Sequence, residues 1–115
     1  MKYIVAVVQP DRLDNVLDAL EAAEVHLVTV SHVMGRGRQK GIAEVYRGHK
    51  EVGSLLRKVK LEIGINDDFV QPTIDAIRGA TKVGEGNIGD GKIFVIDLDQ
   101  CVRIRTGETG DDAIG

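Results

Sequence analysis

Two stretches of this chain carry one pattern, and that repetition narrows the fold more than any other feature. Asp11-Arg12-Leu13-Asp14 through Asp18-Ala19-Leu20 is echoed by Asp67-Asp68-Phe69-Val70 through Asp75-Ala76-Ile77. Each stretch follows an apolar, strand-like run and leads towards another. Tyr3 to Gln9 is rich in Val and Ile and reads as a buried strand. Leu13, Val16, Leu17 and Leu20 then fall at helical spacing, with Asp14, Asp18 and Glu21 off the apolar stripe. Val25 to Met34 reads as a second strand. Val59, Leu61, Ile63 and Ile65 alternate with polar or small residues, the period of a strand with one buried face.

The second half continues alike. Asp67 and Asp68 offer a cap and an acidic first turn, and Val70, Ile74 and Ile77 carry a helical stripe to about Thr81. Pro72 leaves the start of that helix open by a turn, since proline removes a backbone donor. Ile93 to Leu98 reads as the fourth strand, and Gly107 to Gly115 as a mobile acidic tail. The order β-α-β, long loop, β-α-β predicts an α+β chain: a ferredoxin-like βαββαβ sandwich with both helices on one sheet face. A chain of 115 residues suits one domain and has no further element to cover the other face, so self-association is expected.

Composition removes several classes. The net charge of -3 argues against a general nucleic-acid footprint. The single cysteine, Cys101, excludes an internal disulfide framework and fits a reducing compartment. No apolar run nears the roughly 20 residues of a membrane span, and no signal peptide is visible, so a cytoplasmic location is expected. His26, His32 and His49 lack metal-site spacing. Cys101 reads as an inert thiol.

Three segments carry candidate chemistry. Gly86-Asn87-Ile88-Gly89-Asp90-Gly91-Lys92-Ile93 matches a phosphate loop in part but has Ile93 where a magnesium-holding Ser or Thr belongs. It also leads into a strand rather than a helix, so a phosphate-loop fold is rejected. Its glycines can still turn backbone N–H groups to an anion, with Lys92 adding charge. A flexible turn with a surface lysine is the plainer alternative. Arg103-Ile104-Arg105, if extended, puts two guanidinium groups on one side, an arrangement suited to polyphosphate. Gly35-Arg36-Gly37-Arg38-Gln39-Lys40-Gly41 alternates glycine with basic residues and opens a polar, glycine-punctuated stretch, Gly35 to Gly53, too long for a hairpin turn.

At these segments the sequence resembles the PII nitrogen-regulatory signal proteins. The marks are Gly37-Arg38-Gln39-Lys40-Gly41, Tyr46-Arg47-Gly48, Lys58-Val59-Lys60, Ile88-Gly89-Asp90-Gly91-Lys92-Ile93-Phe94-Val95 and Arg103-Ile104-Arg105-Thr106-Gly107-Glu108. The resemblance spans the whole chain, in register from Met1 to Ile114, as one PII-like domain over residues 1–115. The resemblance implies a homotrimeric regulator of nitrogen metabolism with at most slow ATP hydrolysis. Nucleotide, ATP or ADP, would sit between subunits. Gly89, Asp90, Gly91 and Lys92 in the glycine-rich loop 84–92 would cradle phosphates, Arg103 and Arg105 in the C-terminal segment 99–115 would clamp them, and Gly37 and Arg38 would reach in from the long loop. Thr29 and the backbone at Gly64 would meet the base. Beside Mg-ATP the family binds 2-oxoglutarate; there Gln39 would ligate magnesium, Lys58 would pair with the distal carboxylate, and Gly37, Lys40 and Gly41 would support it.

Loop 37–55 would dock on a target through Tyr46, Arg47 and Gly48. The implied targets are an ammonium transporter, which would recruit the protein to the membrane, or an enzyme or regulator of nitrogen metabolism; nucleic acid is not implied. The sequence departs from the family pattern at Gln9, Asp11 and Leu27, and in two extra residues before the Ile88-Gly89-Asp90-Gly91 signature. Glu51 stands where many members carry a nucleotidylated tyrosine, and His49 where cyanobacterial members carry a phosphorylated serine. Two other classes share parts of this pattern. A small phosphotransferase would need a base or acceptor site, which the sequence does not offer. An RNA-binding βαββαβ module would need aromatic-rich strands, and the aromatics here are Tyr3, Tyr46, Phe69 and Phe94.

Overall fold

A computed structural model describes residues 1–37, 55–82, 84, 86 and 90–115. The elements are β1 (Lys2–Val8), α1 (Leu13–Ala22), β2 (Thr29–Gly35), β3 (Leu56–Ile65), α2 (Val70–Thr81), β4 (Gly91–Asp97) and a short α3 (Asp111–Ile114). The strands form one antiparallel sheet in the order β2-β3-β1-β4. The expected ferredoxin-like α+β arrangement is therefore present.

Strand alternation explains the layering. Ile4, Ala6 and Val8 of β1 and Val59, Leu61, Ile63 and Ile65 of β3 point to the helix side and are buried. Val16 and Leu20 of α1 and Ile77 of α2 close over them, and the two helices pack on each other. Two buried threonines of α2 are satisfied within the helix. Thr73 Oγ1 donates to the Phe69 carbonyl and Thr81 Oγ1 to the Ile77 carbonyl, each at 2.7 Å. The β2–β3 register runs outward as far as Gly35 opposite Leu56.

Four boundaries differ from the sequence reading. The second strand starts at Thr29, not Val25. Glu24 takes a positive φ of 63°, and the Val25 N–H donates to the Leu20 carbonyl at 2.9 Å. That bond, with Glu24 N–H to the Glu21 carbonyl at 3.0 Å, is a Schellman closure of α1 made without glycine. Val25 is thus used to end a helix. Secondly, neither Asp67 nor Asp68 caps α2 through its side chain. A 3-10 turn, Asp67–Phe69, leads in, and Asp67 instead takes the Met1 amine at 2.9 Å. Pro72 falls in the first turn of α2, where its missing N–H removes no helical bond. Thirdly, β4 begins at Gly91, so Gly91 and Lys92 belong to the strand.

Fourthly, the tail is folded. Val102 and Thr109 bridge as a small antiparallel pair, and α3 follows with Ala113 buried. Long-range bonds hold it. Gly110 N–H donates to the Cys101 carbonyl at 3.0 Å, and Asn66 Nδ2 to the Asp111 carbonyl at 3.3 Å. Among the described residues no helix is long and apolar enough to cross a membrane.

Candidate functional site

The side chains opposite the core form an open sheet face. Register places them in rows running from β2 to β4: Ser31, Lys60, Val7 and Lys92; then Thr29, Glu62, Val5 and Phe94. The next row holds Gly64, Tyr3 and Ile96. Phe94 and Ile96 are 50% and 51% exposed, an apolar pair left uncovered in a single chain. Tyr3 donates its hydroxyl to Glu62, and Lys60 Nζ lies 3.6 Å from the same carboxylate. The tyrosine hydroxyl, aided by Lys60, holds the Glu62 carboxyl below its ordinary value. Lys58 shares this face opposite Val33, and partial burial pushes its ammonium pKa down.

The candidate phosphate and base residues stand at opposite edges of the sheet. Thr29 is exposed on β2, one edge. Gly91 and Lys92 open β4, the other edge. Three strand spacings separate the edges, about 14 Å. The backbone of Gly91 has its own demand. Its φ is +121°, and a Cβ there would sit 2.2 Å from the Val7 carbonyl oxygen. Glycine is thus required by the close approach to β1, whatever the loop binds.

Arg103 lies on the side of β2. After β4 the chain crosses the sheet end: Leu98 N–H donates to the Met1 carbonyl, and a Cβ on Gly64 would meet Leu98 at 3.7 Å. It continues past Asn66 until Gly115 rests against both Arg103 and Leu27, each 3.6 Å from where its Cβ would be. Arg103 and Arg105 do not form an extended pair. Residues 104–106 make a turn, Arg105 is exposed, and Arg103 Nη1 donates to Glu108 at 3.2 Å. Its Nη2 donates to the carbonyls of Asp112 and Ala113 at 3.2 and 3.4 Å.

A cleft of about 100 Å³ opens beside this tail, lined by Leu27, Gly64, Asn66, Phe69 and Ile114 among others. Asn66 Oδ1 is buried and receives no hydrogen bond among the described residues. Neither Asn66 nor Ile114 stood out in the sequence, because neither belongs to a patterned segment. The Tyr3–Glu62 pair was within reach, since strand parity puts both on the face away from the core. Gly37 lies exposed two residues beyond the end of β2. The expected roles of Arg38, Gln39, Lys40, Gly41, Tyr46, Arg47, Gly48 and Gly89 lie outside the described residues.

The family model described as nitrogen regulatory protein P-II matches residues 1–108. The chain belongs to the P-II family. It is similar to nitrogen regulatory protein GlnK1 of Methanosarcina mazei, 49% identical over 99% of this chain and 97% of that one. It is also similar to nitrogen regulatory protein P-II of Bradyrhizobium diazoefficiens, 51% identical over 99% of this chain and all of its relative. P-II proteins are regulators rather than enzymes, and the expected family and regulatory class stand. The open sheet face, the edge at Lys92 and the edge at Thr29 are accordingly surfaces of a P-II regulator of nitrogen metabolism.

Proposed function

We propose that this P-II protein senses ATP and ADP at clefts between the subunits of a homotrimer and regulates its targets by docking loop 37–55. One observation carries the reading. Thr29 and Lys92 stand at opposite edges of one sheet, with the open face between them, whereas an adjacent copy would bring the unlike edges together across one cleft. The half-exposed Phe94 and Ile96 favour the same assembly, because burying them gains hydrophobic free energy. In the closed cleft Thr29 and the Gly64 backbone meet the base. The backbone at Gly89, Asp90 and Gly91 together with Lys92, Arg103 and Arg105 takes the phosphates, and Gly37 and Arg38 enter from the loop.

2-Oxoglutarate is the second effector. Lys58, partly buried on the open face, would pair its ammonium with the distal carboxylate. Gln39 would hold magnesium, an oxygen-seeking ion that would add positive charge for phosphate and keto acid alike; Gly37, Lys40 and Gly41 would line the acid. Sharing one ion would make the two ligands cooperative. Tyr46, Arg47 and Gly48 form the docking tip towards an ammonium transporter or another nitrogen-metabolism protein. Glu51 has no phenolic oxygen, so control runs through ligands rather than nucleotidylation there.

Calorimetric titration with ATP, ADP and 2-oxoglutarate, each with and without magnesium, tests the whole reading. ATP and ADP should compete for one site per chain, and 2-oxoglutarate should bind only with Mg-ATP. Absence of nucleotide binding, or a single-chain mass by light scattering at micromolar concentration, would overturn it.

A further inference from the structure

The guanidinium that would clamp phosphate is already engaged by the chain itself. Arg103 Nη2 donates to the carbonyls of Asp112 and Ala113, and Nη1 donates to Glu108. Carbonyls at the end of a short helix carry partial negative charge, so they suit a cation much as phosphate oxygens do. Arg103 cannot present the same N–H groups to both.

The tail also reaches the base end of the proposed cleft. Gly115 rests against Leu27, and Ile114 lines the cleft beside Gly64. Three further contacts keep the segment there. Gly110, at φ 69°, turns the chain into α3; Asn66 Nδ2 donates to the Asp111 carbonyl; and Ala113 is buried, its N–H donating to the Gly110 carbonyl at 3.0 Å. Two of the hydrogen bonds made by the Arg103 guanidinium end on this segment.

We infer that residues 111–115 form an internal latch that competes with nucleotide for Arg103 and for the cleft between Leu27 and Gly64. The inference rests on the proposed role of Arg103 in binding phosphate. Binding of ATP or ADP then releases the latch, and the freed segment, Ala113 and Ile114 included, becomes a ligand-dependent surface. Release also frees Asn66 Nδ2 from the Asp111 carbonyl.

ATP titration of four forms tests this: the full chain, the chain ended at Gly110, Ile114→Asp and Arg103→Ala. Ending the chain at Gly110 should tighten ATP binding about tenfold, the value of ~1.4 kcal/mol, and Ile114→Asp should tighten it in the same direction. Hydrogen exchange on the full chain needs no variant: the amides of Gly110 and Ala113 should exchange at least several-fold faster with saturating ATP. Unchanged or weaker binding by both tail variants, or slower tail exchange with ATP, overturns the latch. If Arg103→Ala binds ATP as the full chain does, or if no form binds, the site assignment itself falls and the latch with it. Loss of ATP binding in Arg103→Ala alongside unaltered tail variants removes only the latch.

Discussion

The two faces of this sheet are written in the same alternating strands yet answer to different demands. On the helix face Ile4, Ala6, Val59 and Leu61 are fully buried, and each is met by α1, α2 or a neighbouring strand. On the open face the same strands present Tyr3, Lys58, Lys60, Glu62 and Lys92, with Phe94 and Ile96 half exposed. The first face determines whether the chain folds. The second keeps charges and apolar groups at a surface where another molecule can use them.

Substitutions can break that contrast. Leu61→Ala should cost the single fold about 2–5 kcal/mol by leaving a cavity against the helices, read as a lowered denaturant midpoint. Phe94→Asp should leave far-UV circular dichroism intact while light scattering falls to one chain's mass. If Phe94→Asp unfolds the chain instead, the two faces are not separable. Arg103→Ala combined with Arg105→Ala removes at least two charge-assisted bonds of roughly 1.5–3 kcal/mol each. ATP affinity should fall about a hundredfold or more by calorimetry, while far-UV circular dichroism stays that of the folded chain.

A smaller effect tests the β4 edge. Gly91→Ala must displace the strand from the Val7 carbonyl, at about 1–3 kcal/mol of stability, and exchange of the β1–β4 amides should rise even without nucleotide. Stability unchanged by this substitution would mean that the glycine serves ligand contact alone. The smallest effect is in pH dependence. Glu62 is held below its ordinary value of 4.5, chiefly by the Tyr3 hydroxyl. Its depressed pKa adds stability above the ordinary value that is lost as pH falls through the folded one. Glu62→Gln should flatten the acid limb of the stability curve below about pH 4.5; an unchanged limb would remove Glu62 from the open-face network.

Sequence alone carried the layering, because burial on one face imposes a period of two on β1 and β3 and a period near 3.6 on the helices. It failed where order comes from distant partners. Residues 107–115 look mobile as a string of Gly, Asp and Thr, but Arg103, Asn66 and Cys101 hold them in place. The end of α1 was hidden for a related reason: its closure uses Glu24 in a conformation that usually signals glycine. At the site, the glycine signature was legible as a special backbone. The parting of Arg103 from Arg105 was not, since the turn at 104–106 has no local pattern that announces it.

The β2–β3 register ends with Gly35 directly opposite Leu56, so the two stems of the long loop leave the sheet one strand spacing apart. A span anchored this way can be lengthened, shortened or rewritten with little consequence for the sheet. Doubling its length adds only about 0.6 kcal/mol of closure entropy. The residues between Gly35 and Leu56 are thus an interchangeable insert on a fixed chassis, free to diverge in sequence and length while the strands that carry them stay the same.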